Sequence, residues 1–224
     1  GFVGDDGEFT GFDLELAAEV AKRLGMEIKY QPIAWDAKEM EIESGNIDVI
    51  WNGFTSTGRE NDYTWSKPYM ENKQVFVVSK DSGITKVEEL KGKKVEVQVD
   101  SSGEKALAEN KELSDSFAEL ITTADYNTAF QDLEMGATDA VAMDIIVAAY
   151  QLKKRGDGKY IILEDEPIST EEYGIGFKKG NTALRDAVDA TLVEMAADKT
   201  LKSISEKWFD TDVTIICLLY TSDA

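Results

Sequence analysis

The sequence predicts an α/β fold built as two units in tandem, and three observations carry that reading. Stretches with helical and with strand periodicity alternate along the chain, which argues for mainly parallel sheets flanked by helices. The order of elements then repeats. Within that repeat, "ESGNIDVIW" (43–51) and "EMGATDAVAM" (134–143) share a Glu-x-Gly-x-x-Asp pattern followed by apolar residues, a helix end leading into a strand.

Taken in order, Asp13 is placed to cap the helix "DLELAAEVAKRLG", Leu14, Ala17, Ala21 and Leu24 share one face of it, and Gly25 stops it. "MEIKYQPI" (26–33) alternates as a strand, "DAKEMEIESG" reads as a short helix closed by Gly45, and "IDVIW" as a buried strand. After the extended "NKQVFVVSKDSG" the rhythm resumes with strand "KVEVQV", a helix near "SGEKALAEN", a strand near "FAELIT" and helix "DYNTAFQDLEMG". Strand "DAVAM" and helix "DIIVAAYQLKKR" close the second block. "VFVVSKDSG" and "EDEPISTEEYGIGFKKG" are extended and carry Gly or Pro suited to hinges, while "NTALRDAVDATLVEMAADKTLKSISEKWF" is a pair of helices expected to pack back on the first unit. The chain thus crosses between units twice.

With 224 residues and 42% hydrophobic content the chain can bury a proper core, as one large domain or two lobes of about 100 residues each. The 44 acidic against 24 basic residues give a net charge of −20, which repels nucleic acid and anionic membrane surfaces. His is absent and Cys occurs once, at Cys217, so Ser-His and Cys-His pairs and His- or Cys-based zinc sites are excluded. The acidic residues are spread along amphipathic segments as a solvated surface, not a metal cage; no metal and no cofactor are expected. No apolar run reaches transmembrane length, and no charged-then-apolar secretion signal opens the chain.

The stretch most suggestive of chemistry is "WNGFTSTGRE" (51–60), where Gly53, Thr55, Ser56, Thr57 and Gly58 cluster after an apolar run and before Arg59. Small residues bring backbone N–H groups close to a ligand, and a guanidinium is shaped for a carboxylate or phosphate. If the two blocks are equivalent, Gly53 to Arg59 follow one strand and Asp144 follows its counterpart. Ligands of open α/β sheets bind beyond the carboxyl ends of strands, so a cation and an anion are expected on opposite walls of one cleft. Each residue also has a plainer reading: Arg59 as a turn cation, Asp144 as the cap of the following helix, and Ser101 and Ser102 as caps of theirs. Trp51 is assigned to the core and Trp35 to the cleft.

These residues resemble the solute-binding proteins of amino-acid ABC transporters (family 3), of the type II periplasmic-binding-protein fold, from Gly1 to about Val213. The resemblance rests on "GFDLELAAEVAKRLG", Trp35 ahead of "SGNIDVIWNGFTSTGRENDYTWSKPY", then "VQVDSSGEKAL", "DAVAMD", "GFKKGNTALRDAV" and "LKSISEKWF", in that order. It implies a first lobe over 1–79, a second over 80–168, and a return to the first with the closing helices over 169–213. It also implies that residues matching Gly53, Thr55 and Arg59, with their neighbours Asn52 and Phe54, line the first-lobe wall, Arg59 pairing with a ligand α-carboxylate. Ser101 and Ser102, at a helix start, would add donors to that carboxylate. Asp144 would take the α-ammonium and Trp35 would pack on the ligand side chain.

Two departures stand out. The family places one more residue between Thr-x-Thr and the "F/W-S-x-P-Y" match, so the loop from Ser56 to Asp62 is expected to be reshaped. The family also has a strand before the stretch matching "GFVGDDGEF", so the first lobe is expected to lack its first strand, and 214–224 reads as a non-native tail. The function implied is extracytoplasmic binding of a free L-amino acid, in the periplasm or lipid-anchored, by a monomer delivering to an ABC permease. The alternatives are a periplasmic dehydratase of the cyclohexadienyl type and a ligand-sensing receptor domain. An enzyme needs an acid or base in reach of the reacting carbon, and the only candidate, Asp144, is already assigned to charge pairing, which favours binding.

Overall fold

A computed structural model describes residues 1–4, 7–156 and 158–216; Cys217 and the rest of the tail lie outside the described residues. The chain forms two units: the first comprises 1–33, 38–71 and the chain from Glu172 onward, the second 34–37 and 72–171.

The first unit opens with a short antiparallel pair, β1 (Phe2–Val3) and β2 (Phe9–Thr10), followed by α1 (Phe12–Arg23). Its cap position is Gly11 and makes no side-chain cap bond; Asp13 lies inside the helix, buried, so the expected capping role is not taken up. The face turned inward is Phe12, Asp13, Leu16, Ala17 and Val20, not the stripe through Leu14 and Ala21. Gly25 does stop the helix: at φ 67° it lets its own N–H reach Lys22 O and that of Met26 reach Ala21 O at 2.8 Å. "MEIKYQPI" is no strand, because alternation makes a strand only where a neighbour supplies hydrogen bonds and no described strand pairs with it. Its Met26 and Ile28 are exposed.

A single 3-10 turn, Trp35–Ala37, leads into α2 (Lys38–Ser44), then β3 (Val49–Ile50) and β4 (Thr64–Trp65).

β5 (Met70–Ser79) carries the chain into the second unit between Glu71 and Asn72, eight residues before the crossing expected from sequence, because the strand itself makes the passage. There follow β6 (Lys94–Gln98), α3 (Ser102–Glu109), α4 (Lys111–Ser114), β7 (Glu119–Thr123) and α5 (Tyr126–Met135). β8 (Ala140–Asp144), α6 (Ile145–Arg155), β9 (Tyr160–Leu163) and β10 (Ser169–Tyr173) complete it. The sheet order is β10–β5–β8–β6–β7, with β9 also on β5. β6 lies parallel to β7 and to β8, where helical crossovers exist, and β5 lies antiparallel to β8 and β9.

Alternation along these strands feeds two cores, one on each face. Phe76, Val78, Val95 and Val97 join Leu107 and Phe117; Val75, Val77, Val141 and Met143 join Phe130 and Leu133. Glu96 interrupts the pattern in β6. It is buried, its Oε2 has no partner among the described residues, and burial, helped by Asp132, pushes its carboxyl above the ordinary range. A raised carboxyl favours folding only where it is protonated: below its unfolded value the penalty vanishes, and it grows as pH rises through the folded value. Glu96→Gln is therefore expected to melt above the parent near neutral pH, with the difference closing as pH falls to the unfolded Glu range, read by thermal denaturation across pH.

The return crossing falls between Glu171 and Glu172, inside β10. β11 (Gly176–Phe177) then slots between β3 and β4, antiparallel to both. The helix pair is α7 (Thr182–Ala197) and α8 (Thr200–Phe209), and both pack on α1 as expected. An ion pair from Arg23 to Asp198 at 2.7 Å ties α1 to their junction. Of the tail, Thr214 bridges Met70 and the Ile215 N–H donates to Tyr69 O at 3.0 Å.

The repeated Glu-x-Gly-x-x-Asp stretches take the same local form. Gly45 and Gly136 end α2 and α5 at φ 78° and 71°, and the residue after each donates back into its helix, Asn46 to Glu41 O and Ala137 to Asp132 O. β3 and β8 follow, and counting on from the two glycines sets Gly53 level with Asp144.

Candidate functional site

In the first unit, the segment after β3 is a compact turn. Gly53 adopts φ 56°, a conformation that favours glycine, and an added Cβ would stand 3.5 Å from the Tyr173 ring. Its N–H donates to Asp13 Oδ2 at 2.7 Å, and Tyr69 Oη donates to Asp13 Oδ1 at 2.8 Å. Asp13, diverted from the helix cap, thus fixes the start of the turn. Burial, reinforced by that carboxylate, pushes the Tyr69 phenol well above its ordinary value, keeping it a donor.

Thr55 is buried and bridges Tyr173, and its carbonyl accepts from Arg59 Nη1 at 3.3 Å. The half-buried Arg59 lies with its guanidinium carbon 5.5 Å from the Phe54 ring centroid. Its backbone is pinned at three points: its N–H donates to Ser56 O, and its carbonyl accepts from Asp62 N and from Trp65 Nε1. The loop from Ser56 to Asp62, one residue short of the pattern it resembles, is therefore a closed turn. Phe54 is fully buried between Tyr63 and Trp65, at 5.1 and 4.6 Å between centroids, and its ring supports Arg59. Asn52 is exposed and exchanges hydrogen bonds with Gly1.

In the second unit, Asp144 stands at the cap position of α6 yet makes no cap bond. Its carboxylate turns instead into a buried polar cluster. Gln74 lies directly opposite it in the β5–β8 register, and Asn72 shares that face of β5 two residues earlier. The amide nitrogens of Asn72 and Gln74 donate to Asp144 Oδ1 at 2.7 and 2.8 Å, and Tyr126 Oη donates to Oδ2 at 3.0 Å. The same two nitrogens reach Glu171 Oε1 on β10, at 2.7 and 2.8 Å, and Ser102 Oγ donates to that oxygen at 3.1 Å. Packing around Tyr126, with Asp144 beside it, pushes its phenol well above the ordinary value, so it too remains a donor. Gly103 gives the cluster room: a Cβ there would stand 2.8 Å from Gln74 Oε1.

The two serines part company. Ser101 caps α3, accepting from Glu104 N at 3.1 Å while donating to Gln98 O at 2.7 Å, and Ser102 faces the cluster. Trp51 is buried beside Tyr69, in the core where it was assigned. Trp35, half-buried, sits in a turn that belongs to the second unit although its sequence neighbours belong to the first. Sequence reasoning took Asp13 only as a helix cap and did not single out Asn72, Gln74, Tyr126 or Glu171. Only Asn72 and Gln74 left a trace there, as two polar residues at strand spacing ahead of "VFVV". Among the described residues no group of three or more acidic or Cys side chains is arranged to hold a metal ion, and no helix is long and apolar enough to cross a membrane.

Comparison with known proteins bears on the family and the fold. The pattern of a family described as bacterial extracellular solute-binding proteins, family 3, matches residues 1–211. The L-cystine-binding protein TcyJ of Escherichia coli K12 is 38% identical over 95% of this chain and 79% of its own. A crystal structure of an ABC uptake transporter substrate-binding protein from Streptococcus pneumoniae with bound histidine superposes with a TM-score of 0.92 at 34% identity, over 96% of this chain and 89% of that one. An ancestral amino-acid-binding protein, AncCDT-1, described as a precursor of cyclohexadienyl dehydratase, superposes at 0.80 with 31% identity, over 93% and 88%.

Proposed function

Since the chain belongs to the bacterial extracellular solute-binding proteins of family 3, we propose that it binds a free L-amino acid outside the cytoplasm, as a monomer, and delivers it to the membrane permease of an ABC importer. The ligand's α-carboxylate goes to Arg59 and its α-ammonium to Asp144. The observation that carries this reading is the Asp144 carboxylate, which leaves a vacant helix cap unused and is held in a buried cluster by amide and phenol donors. Such a carboxylate is oriented without being neutralised by those donors, as an ammonium acceptor should be. Arg59, with its backbone pinned and its guanidinium on an aromatic face, is likewise pre-set for a planar carboxylate.

A thermal-shift screen over the common L-amino acids, followed by calorimetry, tests the function. A ligand at one hundred times its dissociation constant stabilises by about 2.7 kcal/mol, a rise of roughly 5–10 °C in a domain of this size. At least one L-amino acid is expected to produce it; no shift with any would overturn the reading. A second reading, a dehydratase, draws on the likeness to AncCDT-1. It requires turnover of a bound arogenate-like substrate, and binding without product formation decides for the carrier.

A further inference from the structure

Asp144 stands where an aspartate ordinarily turns its carboxylate onto the first-turn N–H groups of its own helix, yet α6 receives no such bond from it. A side chain that forgoes this local bond is held elsewhere, and Tyr126 is placed to hold it. Asp125 caps α5, accepting from Asn127 N and Thr128 N at 2.8 and 3.0 Å, which sets Tyr126 as the first residue of that helix. The Tyr126 side chain packs against the cluster that contains Phe130, Leu133 and Met143. From this seat its Oη donates to Asp144 Oδ2 at 3.0 Å, while Asn72 and Gln74 donate to Oδ1 at 2.7 and 2.8 Å. The backbone N–H of Asp144 in turn donates to the phenol oxygen. One hydroxyl thus meets Asp144 at its side chain and at its backbone.

We infer that Tyr126 is a positioning residue: by gripping Asp144 at both points it keeps the carboxylate off the cap of α6 and aimed at the ligand's α-ammonium. The inference rests on the proposed amino-acid binding and gives Tyr126 a share in its selectivity. The last torsion of an aspartate is broad and weakly restrained by itself, so donors on both oxygens set the plane in which the carboxylate accepts. An ammonium, with three N–H donors and a charge, gains from a carboxylate held in that plane. A deaminated analogue offers no such donor and gains nothing.

The test uses Tyr126→Phe, which removes the hydroxyl and keeps the packed ring. Calorimetry of the parent, Tyr126→Phe, Asp144→Asn and the double variant is run with the L-amino acid giving the largest thermal shift and with its deaminated analogue. Tyr126→Phe is expected to lose at least about fivefold in affinity for the amino acid and less than about twofold for the analogue, as suits a lost bond to a charged group. In the Asp144→Asn background the same substitution is expected to cost less than about twofold, because a residue acting through Asp144 has nothing left to position. Equal losses for both ligands, or the same loss with and without the Asp144 carboxylate, would make Tyr126 a packing residue and overturn the proposal, as would unchanged affinity. A parent protein that binds no amino acid would defeat the functional reading itself, a result seen before any variant is measured.

Discussion

Arg59→Ala and Asp144→Asn are each expected to weaken binding of the preferred amino acid by at least roughly tenfold. Removing one partner of a desolvated, hydrogen-bonded charge pair typically costs ~2–5 kcal/mol, whereas a surface charge is worth well under ~1, and ~1.4 kcal/mol is already a factor of ten. The size of the loss therefore separates a binding group from a turn cation or a helix cap. Asp144 caps nothing with its side chain, so Asp144→Asn should leave the stability of α6 nearly unchanged while affinity falls. The two variants should also differ in what they no longer distinguish. Arg59→Ala loses its preference for the free acid over the α-amide, because the group that reads the carboxylate is gone. Asp144→Asn keeps that preference and stops separating the amino acid from its deaminated analogue. Calorimetry with the three ligands reads all of this, and unchanged affinity in both variants would return Arg59 to the role of a turn cation.

Gly176→Ala is expected to destabilise the first unit by ~1–3 kcal/mol, the usual penalty for overpacking a filled core. The backbone at Gly176 is not in the left-handed region, so the strain is one of space. A Cβ there would stand 2.6 and 2.9 Å from two ring atoms of Phe54, which is wedged between Tyr63 and Trp65 with no exposed surface. β11 cannot retreat, being paired on both sides by β3 and β4. The ring that must yield is the one beneath the Arg59 guanidinium, so affinity should fall along with stability. Urea denaturation and calorimetry measure the two effects. The double variant Gly176→Ala with Phe54→Leu should recover part of the stability but not the affinity. A variant as stable as the parent would show that the ring has room to move.

What the sequence determined by itself is whatever depends on neighbours a few residues away. Gly25, Gly45 and Gly136 end their helices because an αL residue closes the last turn, a local requirement readable at each position. The order of elements, the return of the last two helices and the family followed from such signals in series, and so did Arg59 and Asp144 as the charged candidates. Tertiary structure decided every case in which one side chain had two uses. Asp13 could cap α1, but Gly53 N and Tyr69 Oη, 40 and 56 residues away, take its carboxylate instead. Ser101 and Ser102 are alike in sequence, yet only the second faces the cluster, because one residue of helix turns a side chain by about 100°. "MEIKYQPI" had the alternation of a strand and no described strand to pair with. The cluster around Asp144 was the least legible part. Gln74 meets Asp144 and Glu171 across separations of 70 and 97 residues, set by which strands lie beside β5 and in what register. Register is fixed by burying Val75, Val77, Val141 and Met143 on one face, a property of the packed sheet that no single stretch of chain contains.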